Sequence, residues 1–496
     1  MPDDTPQAAS LTAPRTRRGW VLIAALMAVF TAAVESTIVS TAMPTIVGLL
    51  GGLDLLSWVF AAYLLTQAVT IPIYGRLADL YGRKRILIIG SAIFLLGSAL
   101  CGFAHGMLAL VLYRGLQGVG AGAIMPVATT ILGDVYGPQE RARIGGYISS
   151  VFGIAALVGP LLGAFLVQQV GWQTVFWINL PVGIASIGIL AVALHEHQPP
   201  RPHSIDYLGS VLLMAASGML ILALVQASAL GRSTVVALIG LAVLSLIALV
   251  IHEQRAPEPM MPLDLWRQRV LAAVNLGGLA IGTVMMATVV FLPTYVQGVM
   301  GQSALVAGFA LTAMSVGWPV GATIFGHLIK RSSYRVNAVL CGAALLVGSL
   351  VLVAMEPAHG PLWAGCGAFV VGLGMGFGNT GFVVAAQTSV AWNRRGIAVS
   401  MSLFMRMLGQ ALGAALFGGI FNAALAERVP GADGVVERLM QQSERTSIEP
   451  ATVERLAEAV AQAVHQVYWV ASTLALVALV LAFLFPPGLN PAQAEE

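Results

Sequence analysis

The chain has 496 residues, 58% of them hydrophobic and 9% charged. A soluble globular chain carries roughly 25% charged residues, so water cannot be the main solvent. A net charge of +3 without a long basic cluster excludes nucleic acid as a partner, and three cysteines scattered through apolar runs exclude a disulfide framework.

In chain order, residues 1–19 form a polar stretch with Arg15, Arg17 and Arg18 ahead of the first apolar run. That run outlasts the h-region of a signal peptide and no small-residue cleavage site follows it, so the stretch reads as a cytoplasmic tail before a first membrane helix. A hydrocarbon core of about 30 Å needs roughly 20 apolar residues to span it. Apolar runs and their breakers predict fourteen such helices, near 20–47, 56–76, 86–104, 107–132, 143–168, 174–194, 207–228, 234–252, 270–298, 304–329, 336–355, 362–388, 396–425 and 466–486. The expected fold is an all-α polytopic membrane protein. Residues 20–194 and 270–486 form two six-helix halves, and 195–269 is a linker carrying two additional helices. A polar loop at 426–464 lies outside, with a turn at Asp433-Gly434 and helical periodicity from Ala451 to His465 that can extend the last helix. Residues 487–496 are a second cytoplasmic tail.

Charge fixes an orientation. With both termini in the cytoplasm, the inside segments hold Arg76, Arg83, Lys84, Arg85, Arg141, Arg143, Arg201, Arg255, Arg267, Arg269, Lys330, Arg331, Arg335, Arg394 and Arg395, while the short outer loops hold Arg232 alone. Cytoplasmic loops carry such an excess. The expected location is the bacterial cytoplasmic (inner) membrane, with a monomeric protein in contact with the lipid bilayer.

The loop Gly75-Arg76-Leu77-Ala78-Asp79-Leu80-Tyr81-Gly82-Arg83-Lys84-Arg85 is the most specific signal. Gly75 and Gly82 permit a tight helix–helix connection, and Asp79 can face a helix N-terminus. It resembles motif A of the major facilitator superfamily, with Leu80 where a basic residue is usual. The resemblance implies a transporter whose Asp79, with Arg83 beside it, latches the two halves in the outward-facing state. Arg114, Gln117, Gly118, Gly120 and Gly122 resemble motif B, and Gly146, Gly159, Pro160 and Gly163 are similar to the antiporter motif C, with Ala155 and Ala164 in place of two glycines. Glu35-Ser36-Thr37-Ile38-Val39-Ser40-Thr41-Ala42-Met43-Pro44 and Gly171–Pro181 resemble segments of the fourteen-helix drug:H+ antiporters, with Glu35 for the usual Asp; the second half matches mainly at Arg406, Gly409 and Gly413.

Three charges lie inside predicted helices: Glu35, Arg114 and Arg406. A charge at that depth is expensive and marks a partner or a transport route. At a rise of 1.5 Å per residue, Glu35 lies ~22 Å from Trp20 and Arg114 ~9 Å from the far end of its helix, a similar level, with Arg406 near the midplane. Contact with Arg114 would let Glu35 alternate between charged and neutral forms, as proton coupling requires; a static ion pair is the alternative. For Arg406, packing, pairing and substrate contact stay open. The family's helix arrangement implies Tyr63, Gln67, Met286, Tyr295, Trp318, Asn379 and Met405 as lining of a substrate cavity, where thioethers and rings suit adaptable apolar binding. A single buried acid suits monovalent cations or neutral lipophiles, while Arg406 leaves room for an anionic amphiphile or lipid.

No P-loop, paired Cys or His spacing or catalytic carboxylate pair occurs. The expectation is a non-enzymatic transporter with no cofactor and no metal, driven by a proton gradient. Proton-driven export of small amphipathic molecules leads, with proton-coupled uptake and a non-transporting sensor as the alternatives.

Overall fold

The computed structural model describes residues 16–136, 138–196, 206–226, 230–256, 259, 263–328, 332–390, 394–429, 439, 445 and 449–485. The side chains of Ser36, Arg76, Asp79, Arg141, Arg143, Arg395 and several further helical residues lie outside that description. So do both expected tails apart from 16–19, and most of the 426–464 loop with its Asp433-Gly434 turn.

Fourteen helices among the described residues are long and apolar enough to cross a membrane. They are α1 Arg18–Leu50, α2 Leu56–Tyr81, α3 Arg83–Gly102, α4 Met107–Val135, α5 Pro138–Gln169, α6 Asn179–Ala193, α7 Tyr207–Val225, α8 Arg232–Glu253, α9 Arg269–Thr294, α10 Ala304–Leu328, α11 Tyr334–Val353, α12 Gly360–Thr388, α13 Arg395–Arg428 and α14 Pro450–Leu481. In lipid every backbone polar group must be satisfied inside the segment, which is why apolar runs of this length close into helices. A turn at Thr174–Trp177 precedes α6, and the two together make up the sixth membrane span, Thr174–Ala193. The last helix starts at Pro450, so the periodic stretch from Ala451 to His465 continues it beyond the apolar span.

Lipid tails are as apolar as leucine, so these helices associate through packing and small residues and not through a hydrophobic drive. The faces of α4 show it. A Cβ at Gly118 would sit 2.2 Å from Tyr63 O on α2, and one at Gly120 would sit 2.2 Å from Phe94 N on α3. The motif B glycines are therefore where α2 and α3 close on α4. The outward faces stay apolar: Val236, Leu244 and Ile247 of α8 and Leu108 and Leu112 of α4 are exposed, as a lipid-facing surface requires.

The additional pair α7–α8 has a defined place. Asp206 caps α7 through Gly209 N at 2.8 Å and also meets His252 Nε2 near the end of α8 at 2.6 Å. α7 packs on α2 of the first half and α13 of the second, spanning the seam between them. At Gly419 of α13, a Cβ would stand 1.9 Å from Leu224 O of α7.

α9 does not end as a plain helix. Residues Tyr295–Val299 continue it as one π turn, with Met300 N donating to Tyr295 O at 3.1 Å. Arg445, from the long loop, donates to the carbonyls of Gln297 and Gly298 at 3.3 and 2.8 Å, satisfying backbone groups that a helix end leaves open.

Candidate functional site

Glu35, in the middle of α1, is wholly buried, and its direct partners come from two other helices. Arg114 of α4 forms an ion pair with Oε1. Asn179, at the first turn of α6, donates from Nδ2 to Oε2 at 2.5 Å. The same Arg114 nitrogen donates to Gln117 Oε1 at 2.6 Å, and its Nε donates to Val59 O of α2 at 3.2 Å. Ser98 of α3 closes the ring: it receives Gln117 Nε2 and Asn179 Nδ2, each at 3.1 Å, and donates to Phe176 O at 2.8 Å. The Tyr63 ring lies under the guanidinium, 4.1 Å from centroid to Cζ. Glu35, Arg114, Gln117, Ser98 and Asn179 are each no more than 2% exposed. An ion pair in a dry interior survives only when its remaining donors and acceptors are satisfied, and this network supplies nearly all of them. Sequence reasoning brought Glu35 and Arg114 to one level but missed Asn179 and Ser98 as their partners; a lone Asn in an apolar run was the available signal for Asn179.

Motif C stands directly behind that network. A Cβ at Gly159 would lie 2.0 Å from Thr37 Oγ1, and one at Gly163 would lie 2.5 Å from Ile38 O, so α5 touches α1 within a turn or two of Glu35. Thr37 donates to Ala155 O at 3.3 Å and Thr41 to Pro160 O at 3.1 Å. From the other half, Gln297 of the π turn donates to Thr41 O at 3.3 Å, and a Cβ at Gly308 of α10 would sit 2.8 Å from Pro160 O. Nearby, Asn422 of α13 donates to Asp54 O at 2.8 Å, and Gly418 abuts Ser57. All these contacts between halves lie at the end of the bundle remote from motif A, where they close the seam.

At the other end, Gly82 has φ +93°, a left-handed conformation that allows α2 to turn into α3. Glu196 caps α3: its carboxylate receives Arg83 N at 2.8 Å and Lys84 N at 3.2 Å. Lys84 Nζ in turn donates to Ala191 O and Leu194 O at 2.6 and 2.7 Å, closing the last carbonyls of α6. Arg83 pairs with Asp134 of α4. The expected tight approach at Gly75 is corrected: a Cβ there would meet nothing within 4 Å, because Gly75 lies inside α2 and the turn falls at Gly82. The Asp79 side chain lies outside the described residues. Glu196 and Asp134 were not singled out from sequence, since nothing local distinguishes a capping Glu in a charged linker from a solvated one.

In the second half the structure joins Arg406, Asn379 and Trp318. Arg406 of α13 donates to Asn379 Oδ1 of α12 at 2.6 Å and lies over the Trp318 ring of α10, 5.9 Å from its centroid. All three are partly exposed, whereas the Glu35 network is sealed. Gln67, Met286 and Met405 are buried. Tyr295 was expected in the cavity but is wholly buried, donating to Met355 O at 3.0 Å and packing on His465 of α14. It therefore braces the second half from within. No group of three His, Cys, Asp or Glu suited to a metal occurs among the described residues.

Comparison with known proteins agrees with this architecture. The model of the Major Facilitator Superfamily matches residues 25–414. Multidrug resistance protein 3 of Bacillus subtilis (strain 168) is 32% identical over 493 residues, covering 95% of each chain. Multidrug transporter protein MdtP of the same organism is 33% identical over 412 residues, covering 82% of this chain and 76% of the relative. Among solved structures, a bacterial homolog to the human lysosomal transporter Spinster, inward-facing and unoccupied, superposes with a TM-score of 0.67 at 17% identity, covering 95% of this chain and 97% of that one. The chain belongs to the Major Facilitator Superfamily, and its role is transport and not catalysis.

Proposed function

We propose that the protein is a proton-coupled antiporter that exports amphipathic or lipophilic small molecules, as a multidrug exporter of the bacterial cytoplasmic membrane working by alternating access. The observation that carries this reading is the placement of Glu35, the one acid at the middle of a membrane span among the described residues: it is sealed against Arg114 and Asn179 on the helix that also holds the closed end of the seam. With motif A in the cytoplasm, as the charge distribution indicates, the closed end is the outer one and the described state opens inward.

Opening the outer end requires Thr41 to part from Gln297 and Pro160 to part from Gly308. Those positions lie six and more residues beyond Glu35 on α1 or one helix away on α5, so the movement that opens the seam displaces the backbone carrying the acid. Parting from Arg114 removes the opposite charge that favours the anionic form of Glu35, so contact with Arg114, made and broken as the seam closes and opens, switches the acid between its charged and neutral forms. The relatives named as multidrug proteins support the class of cargo. Uptake of labelled amphiphile into energised inside-out vesicles, with and without a proton gradient, tests the reading. Gradient-dependent accumulation is expected, and accumulation that ignores the gradient overturns it.

A further inference from the structure

We infer that Arg406 is the docking point for an acidic headgroup, so that the cargo is an amphiphile carrying one anionic group. The inference rests on the transport reading above and narrows it. Three observations converge. First, Arg406 is a guanidinium with no carboxylate paired to it among the described residues. Between Val270 and Ala426 the sequence holds one acid, Glu356, and that residue is exposed in the loop between α11 and α12 at the closed end. Arginine stays protonated in any protein setting, so this charge is permanent.

Second, its surroundings are rich in donors and poor in acceptors. The described hydrogen bond of Arg406 goes to Asn379 Oδ1, while its Nε is buried with no partner. Asn379 meets the arginine through its oxygen, which leaves its NH₂ as a further donor beside it. Gln410, one turn along the same face of α13, directs its own amide at Met285 Sδ at 3.3 Å, a weak acceptor that a better one displaces. A planar fork of donors with one neutral partner is half of a carboxylate, sulfonate or phosphate site.

Third, the two sets of charges differ in access. Glu35 and Arg114 cancel each other inside a network at most 2% exposed, so they offer an incoming molecule no net charge. Arg406, Asn379 and Trp318 are partly exposed on α13, α12 and α10, and α13 and α10 are the helices that pack across the seam on α2 and α5. The charge a cargo meets is therefore the unpaired positive one. Trp318 and Met285 supply an apolar, polarisable wall for the body of the molecule, and the acidic headgroup replaces the counter-charge that the chain itself lacks.

The test uses the full protein in nanodiscs without a gradient, titrated with three dansyl probes that share one undecyl body: a carboxylate, its primary amide and the corresponding amine. Wild type is expected to bind the carboxylate most tightly. Arg406→Gln should weaken the carboxylate by roughly ten- to hundredfold, the worth of a charged hydrogen-bonded contact, and leave the amide unchanged; Arg406→Lys should restore part of the loss. Tighter binding of the amine than of the carboxylate overturns the inference, as does an equal loss for all three probes in a folded Arg406→Gln protein. The same probes in proteoliposomes separate the two claims: carboxylate binding without gradient-driven transport refutes the antiport reading and leaves the docking site standing.

Discussion

Gln297 donates to the carbonyl of Thr41 at 3.3 Å, tying the π turn of α9 to the helix that carries Glu35. Arg445 holds the next carbonyls of the same turn, so the long loop, the second half and α1 meet in one chain of contacts. A single neutral hydrogen bond is worth about 1 kcal/mol, enough to bias an equilibrium between two states about fivefold without unfolding either. Gln297→Ala is therefore expected to shift the population towards the state open at this end. Spin labels on Leu49 and Phe309, both exposed at that end, would report it by pulsed electron resonance. An unchanged distance distribution in the variant would remove this contact from the gate.

Closure at that end also rests on Asn422 reaching Asp54 O at 2.8 Å. A short bifunctional crosslink across D54C/N422C should hold the seam shut and abolish transport, with recovery when a cleavable linker is reduced. Full transport by the crosslinked protein would mean that these helices do not separate in the cycle.

Much of the fold was open to reading from the sequence because a membrane leaves the chain few choices. A length threshold fixed by bilayer thickness finds fourteen spans, and the ends found by packing differ from the apolar runs by a few residues, except where the polar stretch before His465 joins α14. The level of Glu35 and Arg114 followed from helical rise. What rise cannot give is direction around the helix axis, and that decides partners. Tyr295 and Trp318 are both aromatic residues in apolar runs, yet one points into the second half and the other lies beside Arg406. Glu196 shows a further gap: its role depends on α6 ending beside the start of α3, a tertiary fact with no local signature.

Glu196 occupies two backbone donors at the start of α3, and its removal leaves both unmet. Glu196→Ala is expected to destabilise that turn by about 1 kcal/mol, the usual size for loss of an N-terminal cap. Hydrogen exchange at Arg83 and Lys84 should quicken roughly fivefold, with Glu196→Asp intermediate. Exchange that stayed at the wild-type rate would show that the cap contributes nothing in solution.

The pair Glu35–Arg114 makes the sharpest demand, because removing either partner and removing both have opposite logic. Glu35→Gln keeps the volume and the acceptor that Asn179 needs, but fixes the side chain neutral. Substrate should bind within about threefold of wild type, while gradient-driven transport and proton release on adding substrate should both disappear, since nothing remains to exchange. Arg114→Ala instead strands a carboxylate in a dry network and empties the space over Tyr63. Breaking one side of a buried pair costs about 3–5 kcal/mol, so this variant should melt well below wild type. In the double variant the stranded charge is gone, and stability should recover by more than half of that loss. A cycle of the four proteins, melted in the same detergent, gives the coupling energy directly. Additive losses would mean that the two groups do not sense each other in the folded protein. Proton release by a stable Glu35→Gln protein at the wild-type level would place the coupling elsewhere, whatever the melting data say.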